Sequence, residues 1–354
     1  SRAVIRAIWM SSMDAEEHSV DAPGRSAAVT AQEVGDPCND SQEAASEWVE
    51  PERWGMWSPK DHLWHDTLRE RWHDASRAVE VNEDIIPRKI HQIWLGSRPI
   101  PEFCQSMMET WKLKHPGWEY KLWTDSDVEP EVFSPRLAEL FSGAESPAER
   151  SDILRLELIL RHGGIYADVD FECLEPFDSL HRRFSFVTGV SNVGVFELNN
   201  GLFAASPGHP LVRFLCEHIG KPWPEWGQED VDPREAVAYQ LERSGMLCGG
   251  PVAPPGHAHF LATTGPGFFT RAVMRFIGSG GPLPAPLAPI AVCPQAVFYP
   301  LPNTLRALPH AERAMRASPS SLAMHHWCRT WAPEGSSGVA GRPTDTLEPA
   351  TAAE

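Results

Sequence analysis

The chain has 354 residues, and 31 Lys and Arg against 48 Asp and Glu leave a net charge of −17. That excess of acid excludes a protein built for nonspecific binding to nucleic acid or anionic membrane, which both need basic surface. No apolar run reaches the ~18 residues of a membrane span. Hydrophobic residues make up 42% and charged residues 22%, enough for a folded core in one large domain or two ordinary ones.

Acid is concentrated at the start. Residues 1–47 are mostly Ala, Ser, Glu and Asp with few large apolar side chains, and are expected to be a disordered acidic segment. Trp48, Trp54, Trp57, Trp64 and Trp72 follow closely, and Trp64, Leu68 and Trp72 recur at helical spacing. Residues 60–79 therefore read as an amphipathic helix within a Trp-rich arm spanning 48–84. Packing of this stripe on the main domain is the plain expectation, and contact with carbohydrate the sharper one. The run Lys89–Trp94 is short, β-branched and bounded by Pro87 and Gly96, so it predicts a buried strand. Phe103, Met107, Met108 and Trp111 predict a helix over 101–114, stopped at Pro116-Gly117, and the alternation in 118–123 predicts a second strand. Strand, helix, strand begins an α/β domain, extending over residues 85–331.

Glu149 to Leu160 is dense in Ile and Leu around most of its circumference, which predicts a well-buried helix, and Gly163-Gly164 supplies its left-handed stop. Ile165-Tyr166-Ala167 then enters a strand ending in Asp168-Val169-Asp170. A short helix around Phe268–Phe276, an irregular loop over 278–289 and one more strand within 291–299 follow, and residues 332–354 read as a disordered tail. The seven cysteines are odd in number, widely spaced and free of any C-x-x-C, so reduced thiols are expected rather than a disulfide framework or zinc knuckle.

The chemistry centres on Asp168 and Asp170. In an extended segment, residues two apart point the same way, so both carboxylates converge while Val169 turns into the core. Two hard oxygen ligands suit Mg²⁺ or Mn²⁺, and strand C-termini are where open α/β sheets bind ligands. Asp152 and Arg155, three apart on the preceding helix, are either a surface ion pair of little consequence or a pair facing phosphate and sugar oxygens. Trp94 ends the first strand and is either core or a platform for a flat base. Asn199-Asn200-Gly201 has turn chemistry. His325 and His326 are adjacent, so their side chains diverge in a strand and at most one joins the aspartates.

These pieces occur in a recognisable order: Ile86-Pro87-Arg88-Lys89-Ile90-His91-Gln92-Ile93-Trp94-Leu95-Gly96, then Pro116-Gly117-Trp118, Ser151-Asp152-Ile153-Leu154-Arg155, Gly163-Gly164-Ile165-Tyr166-Ala167-Asp168-Val169-Asp170, and His325-His326-Trp327. Over residues 85–331 the chain resembles the glycosyltransferases of family 32, the DXD sugar-binding group, which includes initiating α-1,6-mannosyltransferases and enzymes that mannosylate inositol phosphoceramide. The resemblance implies a GT-A fold with a Rossmann-like nucleotide-sugar domain and a mostly parallel central sheet. It also implies retaining transfer of a hexose, mannose favoured, from GDP-mannose or a UDP-hexose to a glycan or glycolipid hydroxyl, with Mn²⁺ or Mg²⁺. By the same resemblance Asp168 and Asp170 are the catalytic metal and diphosphate ligands, and His325 is the third protein ligand with His326 as second choice. Trp94 would stack on the base, Asp152 and Arg155 would contact the donor sugar, and Asn200 and Gly201 would line its pocket. The family suggests a Golgi or secretory location in a eukaryote and a cytoplasmic one in a bacterium. A metal-dependent phosphohydrolase and a noncatalytic carbohydrate-binding module are the alternatives.

Overall fold

The computed structural model describes residues 48–50, 53, 59–221, 261, 263–278 and 289–330. The expected acidic segment 1–47, the tail 332–354, and most of the 278–289 loop lie outside the described residues. In chain order come α1 (Pro59–Ser76), β1 (Lys89–Ile93), α2 (Glu102–Lys114), β2 (Glu119–Trp123), α3 (Pro135–Gly143), α4 (Pro147–His162), β3 (Gly164–Ala167) and β4 (Phe171–Cys173). Then follow α5 (Asp178–His181), β5 (Phe186–Val190), β6 (Leu198–Ala205), α6 (Pro210–His218), α7 (Pro266–Gly278), β7 (Ile290–Cys293), α8 (Gln295–Phe298), α9 (His310–Ala314) and β8 (Ala323–His325).

Six strands form one sheet in the order β2-β1-β3-β6-β5-β7, and β4 pairs with β8 in a separate two-stranded sheet. Within the large sheet β6 runs antiparallel to both neighbours, and the other contacts are parallel. The α/β class with a mostly parallel sheet is as the sequence led us to expect. The strands are apolar on both faces because both are covered. Tyr166, Phe186, Phe203 and Val292 face a core built with α4, α6 and α7. Ile165, Ala167, Val187, Leu202 and Ala291 face the opposite core, which holds Trp111, Phe171, Phe177 and Phe298. Leu68 of α1 is fully buried in the first core, and Trp64 and Trp72 pack against it.

Helix α4 begins where the chain has its cap. Ser146 accepts from the Glu149 amide at 3.1 Å, and Pro147 occupies the first position. It ends at Gly163, and Gly164 (φ +97°) lets β3 approach β1: a Cβ there would sit 2.6 Å from the Lys89 carbonyl oxygen. This glycine is what lets the parallel β1–β3 pairing form.

Two expectations need correction. Strand β3 ends at Ala167, so Asp168-Val169-Asp170 lies in the turn between β3 and β4. Asn199-Asn200-Gly201 is not a turn but the start of β6, where the ladders to β3 and β5 outweigh local turn chemistry. The strand expected within 291–299 is present as β7 and gives way to α8, because Pro294 has no amide to continue the ladder. The described cysteines, Cys104, Cys173, Cys216, Cys293 and Cys328, form no disulfide, and no described helix is long and apolar enough to cross a membrane.

Candidate active site

The Asp168 amide donates to the Gly201 carbonyl at 2.7 Å, and the Phe171 amide donates to the Asp168 carbonyl at 3.1 Å. A tight turn, rather than strand alternation, therefore brings the two carboxylates together, with Val169 packed against Cys104 and Met108. The third member arrives from the other end of the domain. Strands β4 and β8 pair Phe171 with His325, whose ring stacks on Phe171 at 4.4 Å between centroids. His325 Nε2 lies 3.2 Å from Asp170 Oδ1, and the Cys328 amide donates to Asp170 Oδ2 at 2.8 Å. Asp168, Asp170 and His325 each offer one ligand atom, all within 4.8 Å of one another.

His326 turns away, as the divergence of neighbours in a strand requires. It meets Glu172 Oε2 at 2.9 Å and Arg313 at 3.1 Å, so the second-choice ligand does not join the aspartates.

Asp152 and Arg155 are not a surface pair: each is 5% exposed. Arg155 reaches Asp152 Oδ1 at 3.1 Å, Asp168 Oδ1 at 3.4 Å and the Asn200 carbonyl at 2.8 Å. Asn200 Nδ2 donates to Asp152 Oδ1 at 2.8 Å, and Thr264 donates to Asp152 Oδ2 at 3.1 Å. Tyr166 donates to Asp168 Oδ1 at 2.5 Å and lies under the Arg155 guanidinium. Trp94 is half-buried, donates to the Arg98 carbonyl at 2.7 Å and packs against the small cluster of Cys104, Met108 and Val169.

Burial sets the electrostatics. It pushes Asp152 up to about 6 against the pull of Arg155. It also raises Asp168, opposed by Arg155 and assisted by the charge on Asp170. Asp170 is different: burial opposes its ionisation, but His325 and the Cys328 amide hold its carboxyl below the usual range. Burial works against the charge on Arg155, and Tyr166, Asp168 and Asp152 more than offset it, so this guanidinium stays charged.

Trp94, Asp152, Arg155, Asp168, Asp170, Asn200 and His325 line one cleft. Gly201 is the exception. It is buried beside the cleft, where a Cβ would come 2.7 Å from Asp168 Oδ2 and 2.8 Å from Asn199 Oδ1, so it makes room for a carboxylate and does not line a pocket. Sequence reasoning missed Tyr166, Thr264 and Glu197. Tyr166 was findable two positions before Asp168, whereas Glu197 carries no local signal.

Two carboxylates and an imidazole, converging beside a buried arginine, are a donor set that fits Mn²⁺ or Mg²⁺.

Residues 101–187 match the family described as the glycosyltransferase sugar-binding region containing a DXD motif. The chain is 28% identical over 157 residues to inositol phosphoceramide mannosyltransferase 1 of Schizosaccharomyces pombe, covering 42% of this chain and 46% of that protein. It is 31% identical over 169 residues to a mannosyl phosphorylinositol ceramide synthase of Saccharomyces cerevisiae, covering 46% of this chain and 44% of that protein. The matched stretches thus span less than half the length of these relatives. Among solved structures, the PaToxG glycosyltransferase overlaps 63% of this chain and 82% of its own, at 17% identity and a TM-score of 0.40. The matched residues 101–187 contain Asp168-Val169-Asp170, the Asp-x-Asp motif that the description of this sugar-binding region names.

Proposed function

We propose that the protein is a metal-dependent, retaining glycosyltransferase that moves a hexose, mannose favoured, from a nucleotide-diphosphate sugar to a glycan or glycolipid hydroxyl. The observation that carries this is the convergence of Asp168, Asp170 and His325 in a cleft shared with Arg155, Asp152 and Trp94. The relatives, an inositol phosphoceramide mannosyltransferase and a mannosyl phosphorylinositol ceramide synthase by name, support mannose and an inositol-phosphate-bearing ceramide as sugar and acceptor.

Asp168, Asp170 and His325 would hold the cation, which when bound offsets charge on the departing diphosphate. Arg155, fixed by four oxygen partners, keeps a positive charge at the Asp168 end of the cleft, where negative charge develops as the anomeric bond breaks. Its rigidity means little reorganisation is needed at that moment. Asp152 and Asn200 lock each other and present oriented polar atoms to the sugar. Half-buried Trp94 offers a flat face to a nucleotide base. The route we favour keeps the acceptor on the same face as the leaving group, whose phosphate oxygen takes the acceptor's proton. Isolation of a covalent glycosyl-protein adduct on turnover refutes that route.

The experiment is thermal unfolding with GDP or UDP, with and without Mn²⁺. A ligand that binds only the folded state raises the melting temperature by mass action. A Mn²⁺-dependent rise with GDP alone supports mannosyl transfer, and one with UDP alone redirects the proposal to another hexose. No rise with either nucleotide, in a folded sample, refutes the transferase reading.

A further inference from the structure

The cleft contains one carboxylate that the reaction as described does not use. Glu197 immediately precedes β6 and closes the β5–β6 hairpin, its carbonyl accepting from the Ser191 amide at 2.8 Å. Its side chain lines the cleft with Asp168, Asn199, His325 and Trp327. Oε1 accepts from Ser191 Oγ at 2.9 Å and from Asn199 Nδ2 at 3.2 Å. Oε2 receives no hydrogen bond from the described residues, and no described cation pairs with the carboxylate.

The more deeply buried carboxylates Glu157 and Asp152 are built differently. Glu157 gives Oε1 to Arg161 and Oε2 to Ser134. Asp152 divides its oxygens between Arg155 with Asn200 and Thr264. Glu197 is half-buried, and its Oε2 opens to the cleft with no donor from the described residues, so a ligand hydroxyl can take the place of water there. Burial holds the Glu197 carboxyl above the usual range.

The missing donor has a recognisable chemistry. Asn199 ties Glu197 to β6, and the next residue, Asn200, is tied to Asp152, so two carboxylates flank two neighbouring asparagines along one cleft wall. Neutral groups rich in O–H donors suit such a wall, and a nucleotide's diphosphate does not, because it would bring negative charge to Glu197. We propose that Glu197 is a sugar-binding residue, whose Oε2 accepts a hydrogen bond from a hydroxyl of the hexose carried by the donor while Ser191 and Asn199 hold Oε1. This rests on the transferase reading and adds to it the residue that tells the nucleotide sugar from the bare nucleotide.

The test compares two probes on the full chain with Mn²⁺: the nucleoside diphosphate selected by the thermal panel, and its sugar conjugate, GDP-mannose or UDP-glucose. Glu197→Gln keeps the shape and, with its Oε1 still on Ser191 and Asn199, puts a donating NH2 where Oε2 accepts. The variant should bind the sugar conjugate about tenfold more weakly, the loss of one hydrogen bond to a charged acceptor, while binding the bare diphosphate within about twofold of wild type. Equal affinity of variant and wild type for the sugar conjugate overturns the inference, as does equal weakening of both probes. Wild type that binds neither probe removes the transferase reading and this inference with it, an outcome distinguishable from the other two. Ser191→Ala, which removes one of the two donors that hold Oε1, should weaken the sugar conjugate in the same direction by a smaller factor, and no change with it also counts against the inference.

Discussion

Adding one methyl group at Gly201 tests how the site is built. The new Cβ would stand 2.7 Å from Asp168 Oδ2, 2.8 Å from Asn199 Oδ1 and 3.3 Å from the Phe171 ring. Ordinary contact begins near 3.4 Å, so something must shift by about 0.7 Å. The backbone cannot give way easily, since the Gly201 carbonyl accepts from the Asp168 amide and the neighbouring residue pairs with Ala167 across β3–β6. Asn199 Oδ1 is pinned by the Gly201 amide at 2.7 Å. The Asp168 carboxylate is left to turn, against Tyr166 and Arg155 on its other oxygen. We expect Gly201→Ala to lose about 1–3 kcal/mol of stability, the usual cost of overpacking. It should also weaken Mn²⁺ about 10- to 100-fold, the range seen when a ligand's supports are disturbed. Calorimetric titration with Mn²⁺ reads the affinity and urea unfolding the stability. Gly143→Ala, where a Cβ meets nothing within 4 Å, is the control and should change neither by much. Wild-type Mn²⁺ affinity in folded Gly201→Ala would show that the Asp168 carboxylate does not bind the ion where this geometry puts it.

Two further outcomes follow from the same structure. Asp170→Asn removes the carboxylate that pairs with His325, and should abolish the Mn²⁺-dependent rise in melting temperature with nucleotide while circular dichroism stays unchanged; a retained rise in a folded variant excludes Asp170 as a ligand. His91 accepts from Trp123 Nε1 on Nδ1 and faces the Gly163 carbonyl with Nε2, and burial lowers it to about 4. Between pH 6.5 and 4 the unfolded chain therefore takes up the proton that folded His91 refuses, so its contribution is present above that window and lost on acidification. The stability advantage of wild type over His91→Gln should shrink by roughly 1.4 kcal/mol per pH unit through that window, and a constant gap in urea unfolding refutes it.

Much of this was legible because the strongest signals are local. The apolar periodicity of α4 and its Gly163-Gly164 stop placed the helix correctly, and the Asp-x-Asp spacing located the carboxylates. What the sequence hid is nonlocal. The Asn199-Asn200-Gly201 triplet has turn chemistry in isolation, yet β3 and β5 flank it and draw it into a ladder. Whether Asp152 and Arg155 are a surface pair or a buried one depends on Asn200 and Thr264, which lie 48 and 112 residues further along. Glu197 sits among Val195, Phe196 and Leu198 with no spacing to mark it, and only the closure of the hairpin turns it towards the cleft.

The paired histidines of β8 carry a less obvious implication. In the native register Phe171 faces His325. A slip of one residue would place His326 there instead, and the aspartates would still meet an imidazole. Ligation of the ion is thus nearly blind to this error and cannot be what rejects it. Discrimination falls to groups with no part in the chemistry. His326 is clasped by Glu172 and Arg313, the Leu322 carbonyl accepts from both Leu174 and Glu175, and the Trp327 ring donates to the Leu301 carbonyl. Fidelity of assembly and competence of the centre are therefore written in different residues. Lesions in the Glu172–His326–Arg313 clasp should yield molecules of mixed alignment, a fraction of them still able to bind the ion.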